Sequence, residues 1–167
     1  MAETIRILGI DPGLRNTGWG VIEQTGSRLV HIAHGTIQID PKLDLAYRLS
    51  GIFDAIGDLT EKFAPDAAGV EETLVNSNPR SALKLGQARG AALAALARGG
   101  LHVSEFSPRT IKLSVVGSGA ADKAQVAFMI SRLLPRAGAV TSDAADALAC
   151  AICTAHHRPV LNVRGAA

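Results

Sequence analysis

The chain has 167 residues, 47% of them hydrophobic and 19% charged, with a formal net charge of +2. Such a composition excludes a disordered chain, and the length suffices to bury a core without disulfide or metal support, so one soluble domain is expected. No apolar run approaches the ~20 residues of a membrane span, and Met1 to Arg6 lacks the basic segment and apolar stretch of an export signal, which together predict a cytoplasmic protein without a membrane partner.

The small net charge hides a segregation. Met1 to Ser77 carries six basic residues against eleven acidic ones, a net of −5. Asn78 to Arg136 carries nine basic residues (Arg80, Lys84, Arg89, Arg98, Arg109, Lys112, Lys123, Arg132, Arg136) against Glu105 and Asp122, a net of +7. A polyanion-binding face beside an acidic metal pocket divides charge in this way, as do ordinary solvated helix faces.

In chain order, Ile5, Leu8 and Ile10 form a short apolar strand stopped by the Pro12-Gly13 turn signal. It closes on Asp11, whose carboxylate at a strand tip loses hydration unless a cation or donors replace the water; Asp-Pro-Gly is also a good turn on local grounds. Gly18 to Ile22 reads as a second strand, giving a hairpin with Asp11 at its root. Arg28 to Ile39 reads as a third, at an edge, with His31 and His34 as surface residues. Leu45, Leu49, Ile52, Phe53, Ile56 and Leu59 then keep the helical period between Leu43 and Phe63, with Asp44, Asp54, Asp58 and Glu61 on the solvated side.

Asp66 to Glu72 is a short apolar strand that also ends in carboxylates. A strand, helix and strand of these lengths suit a right-handed crossover, which makes this strand parallel to the first and brings their carboxyl ends to the same side. Asp11 is therefore expected beside Glu71 or Glu72. Adjacent strand residues point to opposite faces, and Glu71, directly after Val70, is the favoured inward residue, although spacing alone leaves the choice open.

Ser77-Asn78-Pro79 opens a helix running to about Arg98. One side of it is built of small residues, suited to close contact with the core or with a second copy of the chain, and Lys84 and Arg89 are placed to face phosphates. Gly99-Gly100 ends this helix, and Leu101 to Phe106 is a further strand. Ser107-Pro108-Arg109 starts a short helix on which Arg109 and Lys112 share a face. Val116 to Ala120 is a glycine loop, either a phosphate contact or a plain connection. Lys123 to Leu134 is helical, with Val126, Met129, Ile130 and Leu133 inward.

Thr141 or Ser142 caps a last, alanine-rich helix. Asp143 and Asp146, at i and i+3, share its first turns. Acids at a helix start complement its dipole, yet two like charges on one face repel, and a divalent cation removes that cost. Cys150 and Cys153, in Cys-Ala-Ile-Cys ahead of His156 and His157, are expected as small core residues, since no second loop supplies zinc ligands. Arg158 to Ala167 reads as a loose tail, leaving 1–157 as the single domain.

Asp11, Glu71, Asp143 and Asp146 thus come from two strand ends and one helix start. Hard cations such as Mg²⁺ and Mn²⁺ take oxygen ligands, and two of them about 4 Å apart activate a water and stabilise the leaving oxygen of a phosphodiester. An acid cluster beside a basic face therefore points to a nuclease-type site.

Gly9-Ile10-Asp11-Pro12-Gly13-Leu14 with Thr17-Gly18-Trp19-Gly20, Val70-Glu71-Glu72, Ser81 to Gly90 and Asp143 to Ala149 together resemble the RuvC family of Holliday junction resolvases, in order and spacing from about Ile5 to Ala155. The resemblance implies a ribonuclease H-like α/β fold, a mixed five-stranded sheet with helices on both faces. It implies a homodimer that cuts two symmetry-related strands of a four-way DNA junction, leaving 5′-phosphate and 3′-hydroxyl ends, in recombination and repair, and that docks to a branch-migration motor complex. By the same resemblance Asp11, Glu71, Asp143 and Asp146 are the catalytic acids and hold two Mg²⁺, or Mn²⁺ in their place. Lys112 and Lys123 match basic residues that support DNA binding or cleavage, and join Arg80, Lys84, Arg89 and Arg109 in the expected DNA-binding set.

Family members often place an aromatic residue three positions beyond the catalytic glutamate, where it stacks on an unpaired base. This chain has Leu74 there, which leaves two alternatives: Leu74 acts as a smaller apolar wedge, or another residue takes over the stacking role. Two other readings fit parts of the sequence: a phosphate-loop ATPase domain, whose first strand also ends in an aspartate and glycine turn, and a non-catalytic binder of branched DNA.

Overall fold

β1 (Thr4–Asp11) is the middle strand because it is apolar on both sides, with Ile7, Leu8 and Ile10 fully buried. β2 (Asn16–Thr25) pairs with it antiparallel, and β3 (Arg28–Gln38) pairs with β2 antiparallel at the edge. On the other side β4 (Ala67–Glu71) runs parallel to β1, and β5 (His102–Phe106) runs parallel to β4. The order β3-β2-β1-β4-β5 is the mixed five-stranded sheet expected from the sequence. The computed structural model describes residues 2–73 and 78–158; Leu74 and the tail from 159 onward lie outside the described residues.

Among the described residues five α-helices cover the sheet: α1 (Leu45–Phe63), α2 (Pro79–Arg98), α3 (Pro108–Val116), α4 (Lys123–Leu133) and α5 (Ser142–His157). Their starts are chemically specified. Asn78 accepts from the Ser81 amide, Ser107 from the Thr110 amide and Thr141 from the Ala144 amide, while Asp122 and Gln125 cap α4 reciprocally. α1 begins at Leu45 and not Leu43, because Asp44 keeps an extended backbone (φ −60°, ψ 150°) and takes the cap position.

Strand alternation assigns the two faces. Leu8, Ile10, Val21, Ala68 and Val70 form one core with Ile52 and Ile56 of α1 and Ala88, Ala92 and Leu96 of α2. Ile7 and Ile22 form the other with α3, α4 and α5, through Ile111, Val126, Ile130, Leu148 and Ile152. Gly9 and Asp11 on β1, and Gly69 and Glu71 on β4, therefore share the face that α5 covers.

That face is paved with glycine. A Cβ on Gly9 would collide with the Ala147 carbonyl and the Ala151 amide, one on Gly18 with the Asp143 carbonyl, one on Gly20 with Leu148, and one on Gly69 with the Thr154 hydroxyl. With alanine at 144, 147, 149 and 151, α5 lies almost backbone to backbone on the sheet. Cys150 and Cys153 of α5 are free, buried thiols, with Cys153 turned toward the Thr110 carbonyl of α3, so the expectation that they belong to the core holds.

Gly9→Ala should overpack this seam and cost about 1–3 kcal/mol or more. Gly57→Ala, in the middle of α1 where an added Cβ meets nothing within 4 Å, should instead stabilise by about 0.5–1 kcal/mol. Thermal or urea unfolding of the two variants reads both signs; a neutral Gly9→Ala would show that α5 is not held this closely.

Candidate active site

Two strand tips and one helix start build the site. Gly9 pairs with Gly69 and Ile10 with Val70 across the parallel β1–β4 ladder, so the next residues, Asp11 and Glu71, end neighbouring strands in register and on one face. Gly18 stands opposite Asp11 on β2. Because Gly18 has no side chain, the backbone of Asp143 sits directly over it, and this brings the first turns of α5 to the two strand tips. Alternation settles the choice left open by the sequence: Glu71, not Glu72, is the inward acid.

Asp11, Glu71 and Asp146 line one cavity of about 280 Å³, together with Lys112 of α3, Lys123 of α4 and the apolar wall of Pro108, Ile111, Val126 and Ala149. Asp143 does not line the cavity, but its charge acts on both Asp11 and Asp146. Lys123 Nζ lies 3.4 Å from Ser142 Oγ, which ties the lysine to the start of α5. Among the described residues, no three Asp, Glu, His or Cys side chains form a ready-made cage for one ion. The acids are neighbours around a cavity, as mutual repulsion between like charges favours.

The electrostatics follow from this crowding. Burial, and then the charges of Glu71, Asp146 and Asp143, push the Asp11 carboxyl up to about 8. The direct contact between Asp11 and Glu71 adds to the rise of Asp11. Glu71 is also raised, by burial, with Asp11's hydrogen bond, Lys112 and Lys123 pulling the other way. Asp146 is raised by burial and by Asp143, against the pull of Lys123 and Lys112. Three carboxyls that resist ionising in one pocket mark a place where positive charge is missing.

Their chemistry fits a hard divalent cation: Asp11, Glu71 and Asp146 offer only oxygen donors to the cavity, crowded enough that a cation relieves both desolvation and repulsion. Zinc-type ligation is not offered here, since Cys150 is buried in the α5 seam and its thiol is pushed well up by burial.

The remaining basic residues are spread differently. Arg109 is exposed on α3, its stem against Gly119, and Arg80 and Lys84 are exposed on α2. Arg89 does not join them, since its guanidinium pairs with Glu105 of β5. Sequence reasoning missed two residues behind Asp11. The buried Thr17 hydroxyl donates to the Gly13 carbonyl (2.8 Å) and accepts from the Gly13 amide (3.2 Å), and Arg48 of α1 donates to the Leu14 carbonyl (3.1 Å). Thr17 was within reach, because Thr near a turn often bonds a backbone group a few residues away. Arg48 was not, as only the tertiary packing of α1 brings it there.

Comparison with known proteins bears on the same residues. The family described as crossover junction endodeoxyribonuclease RuvC matches residues 7–154. The crossover junction endodeoxyribonuclease RuvC of Hyphomonas neptunium is 70% identical over 167 residues, all of both chains. That of Caulobacter vibrioides is 58% identical over 92% of this chain and 90% of its own. Among solved structures, Thermus thermophilus RuvC in complex with a Holliday junction substrate superposes with a TM-score of 0.84 at 30% identity, over 90% of this chain and 93% of that one. The yeast mitochondrial Holliday junction resolvase Ydc2 shares the fold, with a TM-score of 0.66 at 19% identity over 92% of this chain and 78% of its own. Matched along nearly its whole length, with both strand tips and the start of α5 inside the matched span, the chain belongs to the RuvC family of crossover junction endodeoxyribonucleases.

Proposed function

We propose that the protein resolves four-way DNA junctions by hydrolysing one phosphodiester in each of two symmetry-related strands, leaving 5′-phosphate and 3′-hydroxyl ends. The observation that carries this reading is the meeting of Asp11, Glu71 and Asp146, from β1, β4 and α5, around one cavity with Lys112 and Lys123. Asp11, Glu71, Asp143 and Asp146 are the residues that hold Mg²⁺, or Mn²⁺ in its place. Two such ions supply the charge neutralisation and water activation that phosphodiester hydrolysis requires.

The chain's own groups do the positioning, which is most of what phosphoryl transfer asks of a protein. Lys112 and Lys123 set positive charge against the phosphate oxygens on the side of the cavity opposite the strand tips. Ile111, Val126 and Ala149 form a dry wall, which strengthens those interactions. Arg80, Lys84 and Arg109 lie on exposed helix surface, where they meet flanking phosphates and set orientation more than sequence preference. A two-fold homodimer presents two equal sites to a nearly symmetric junction, and a branch-migration motor delivers that junction.

Asp11→Asn and Asp146→Asn should each lower cutting of a synthetic four-way junction in Mg²⁺ by more than about 100-fold while junction binding in a gel-shift assay survives. Full cleavage by either variant removes that residue from the catalytic set. Linear duplex and RNA–DNA hybrid run alongside should remain uncut by the wild type.

The pocket also predicts a pH dependence in metal-free buffer. Asp11 holds its proton more tightly folded (about 8) than unfolded (3.8), so its contribution to stability is complete below 3.8 and is lost as pH rises through about 8. The raised Glu71 and Asp146 act in the same direction. Asp11→Asn should therefore gain thermal stability relative to wild type as pH rises through that window in EDTA, and Mg²⁺ should narrow the gap. A Tm difference independent of pH contradicts the crowded-carboxyl site.

A further inference from the structure

The turn that joins Asp11 to β2 is pinned beyond what a hairpin connection needs. Three successive backbone carbonyls in it are bonded to three different parts of the fold. The Gly13 carbonyl accepts from the Thr17 hydroxyl of β2 (2.8 Å), the Leu14 carbonyl from Arg48 of α1 (3.1 Å) and the Arg15 carbonyl from the Ile39 amide just after β3 (2.9 Å). The Thr17 hydroxyl also accepts from the Gly13 amide, so it holds both backbone groups of that residue. Thr17 is fully buried, and the Nε of Arg48 is buried with no hydrogen-bond partner. A half-buried guanidinium with its Nε left unsatisfied is unfavourable, which makes its commitment to one turn carbonyl informative.

What this rigid turn presents to solvent is Arg15, followed by Asn16. Among the basic residues of the acidic half of the chain, Arg15 is set apart. Arg6 is paired with Glu23, Lys62 lies over the Phe63 ring, Arg28 begins β3 at the end of the sheet remote from Asp11, and Lys42 is flanked by Asp40 and Asp44. Arg15 is exposed, forms no carboxylate ion pair among the described residues, and stands four positions after Asp11 at the carboxyl end of β1.

We propose that Arg15 is a DNA-backbone contact: its guanidinium binds a phosphate of the strand whose scissile bond lies at Asp11, and Thr17 and Arg48 are positioning residues that fix the distance between the two. This rests on the junction-cutting function proposed above. A guanidinium suits the task because it offers planar, two-pronged donation to phosphate oxygens, and a fixed turn lets one bound phosphate set the register of the next. Arg15, in the β1–β2 turn and outside the cavity that Lys112 and Lys123 line, thus adds a separate phosphate contact to the binding face.

The test measures binding of a synthetic four-way junction in metal-free buffer, where the strands stay intact, as a function of KCl concentration. Each phosphate contact contributes about 0.9 to the slope of log K against log salt. Arg15→Gln should flatten that slope by about 1 per site and Arg15→Lys should restore it. Thr17→Val and Arg48→Met keep the slope, since the charge at position 15 remains, but lower single-turnover cleavage at saturating enzyme in Mg²⁺. An unchanged slope in Arg15→Gln, with the wild type binding normally, overturns the contact. Full-rate cleavage by both Thr17→Val and Arg48→Met overturns the positioning role. Failure of the wild type to bind or cut the junction overturns the functional reading and this contact with it.

Discussion

The closeness of α5 to the sheet is the constraint on which the rest of the structure depends. Gly9, Gly18, Gly20 and Gly69 leave room for a helix backbone where side chains would normally stand, and the alanines of α5 accept the fit. Helices packed on sheets through ordinary side chains stand about 10 Å away, too far for short aspartates to meet the tips of β1 and β4. Removing both layers of side chains draws Asp143 and Asp146 down to Asp11 and Glu71. The glycines thus position the acids around the cavity without lining it themselves.

A second consequence concerns charge. Gathering carboxylates over an apolar seam is unfavourable, and the fold meets that cost in two ways: Asp11, Glu71 and Asp146 hold their protons more tightly than free carboxyls, and Lys112 and Lys123 stand on α3 and α4 across the cavity. Neither removes the deficit of positive charge, which suits a site that must take up cations together with a polyanion. The acidic first half and basic second half of the sequence meet at this cavity, because β1 and β4 belong to the former and α3 and α4 to the latter.

Much of this was legible in the sequence. Hydrophobic periods, Pro and Gly punctuation and capping residues placed β1 to β5 and α1 to α5 within a few residues, and the crossover rule made β1 and β4 parallel neighbours. The four acids were legible because each closes a strand or opens a helix. Glu71 became distinguishable from Glu72 only once the register showed Val70 facing α1 and α2. The pairing of Arg89 with Glu105, the reach of Arg48 to Leu14 and the short 3₁₀ turn at Pro135–Ala137 were not legible. They arise from contacts between elements distant in sequence, which local patterns do not encode. The glycines showed as turn or strand residues, yet their shared face appears only when three strands are aligned.

The order of elements along the chain has a consequence during synthesis. Asp11 and Glu71 leave the ribosome early, whereas the helix that contributes the other two acids is the last element described here. Domains fold as their parts emerge, N-terminal portions first, and a nascent chain holding β1 to β5 without α5 exposes a groove of bare glycine peptide in place of a nuclease. The cavity bounded by Asp11, Glu71 and Asp146 is therefore completed only when α5 docks.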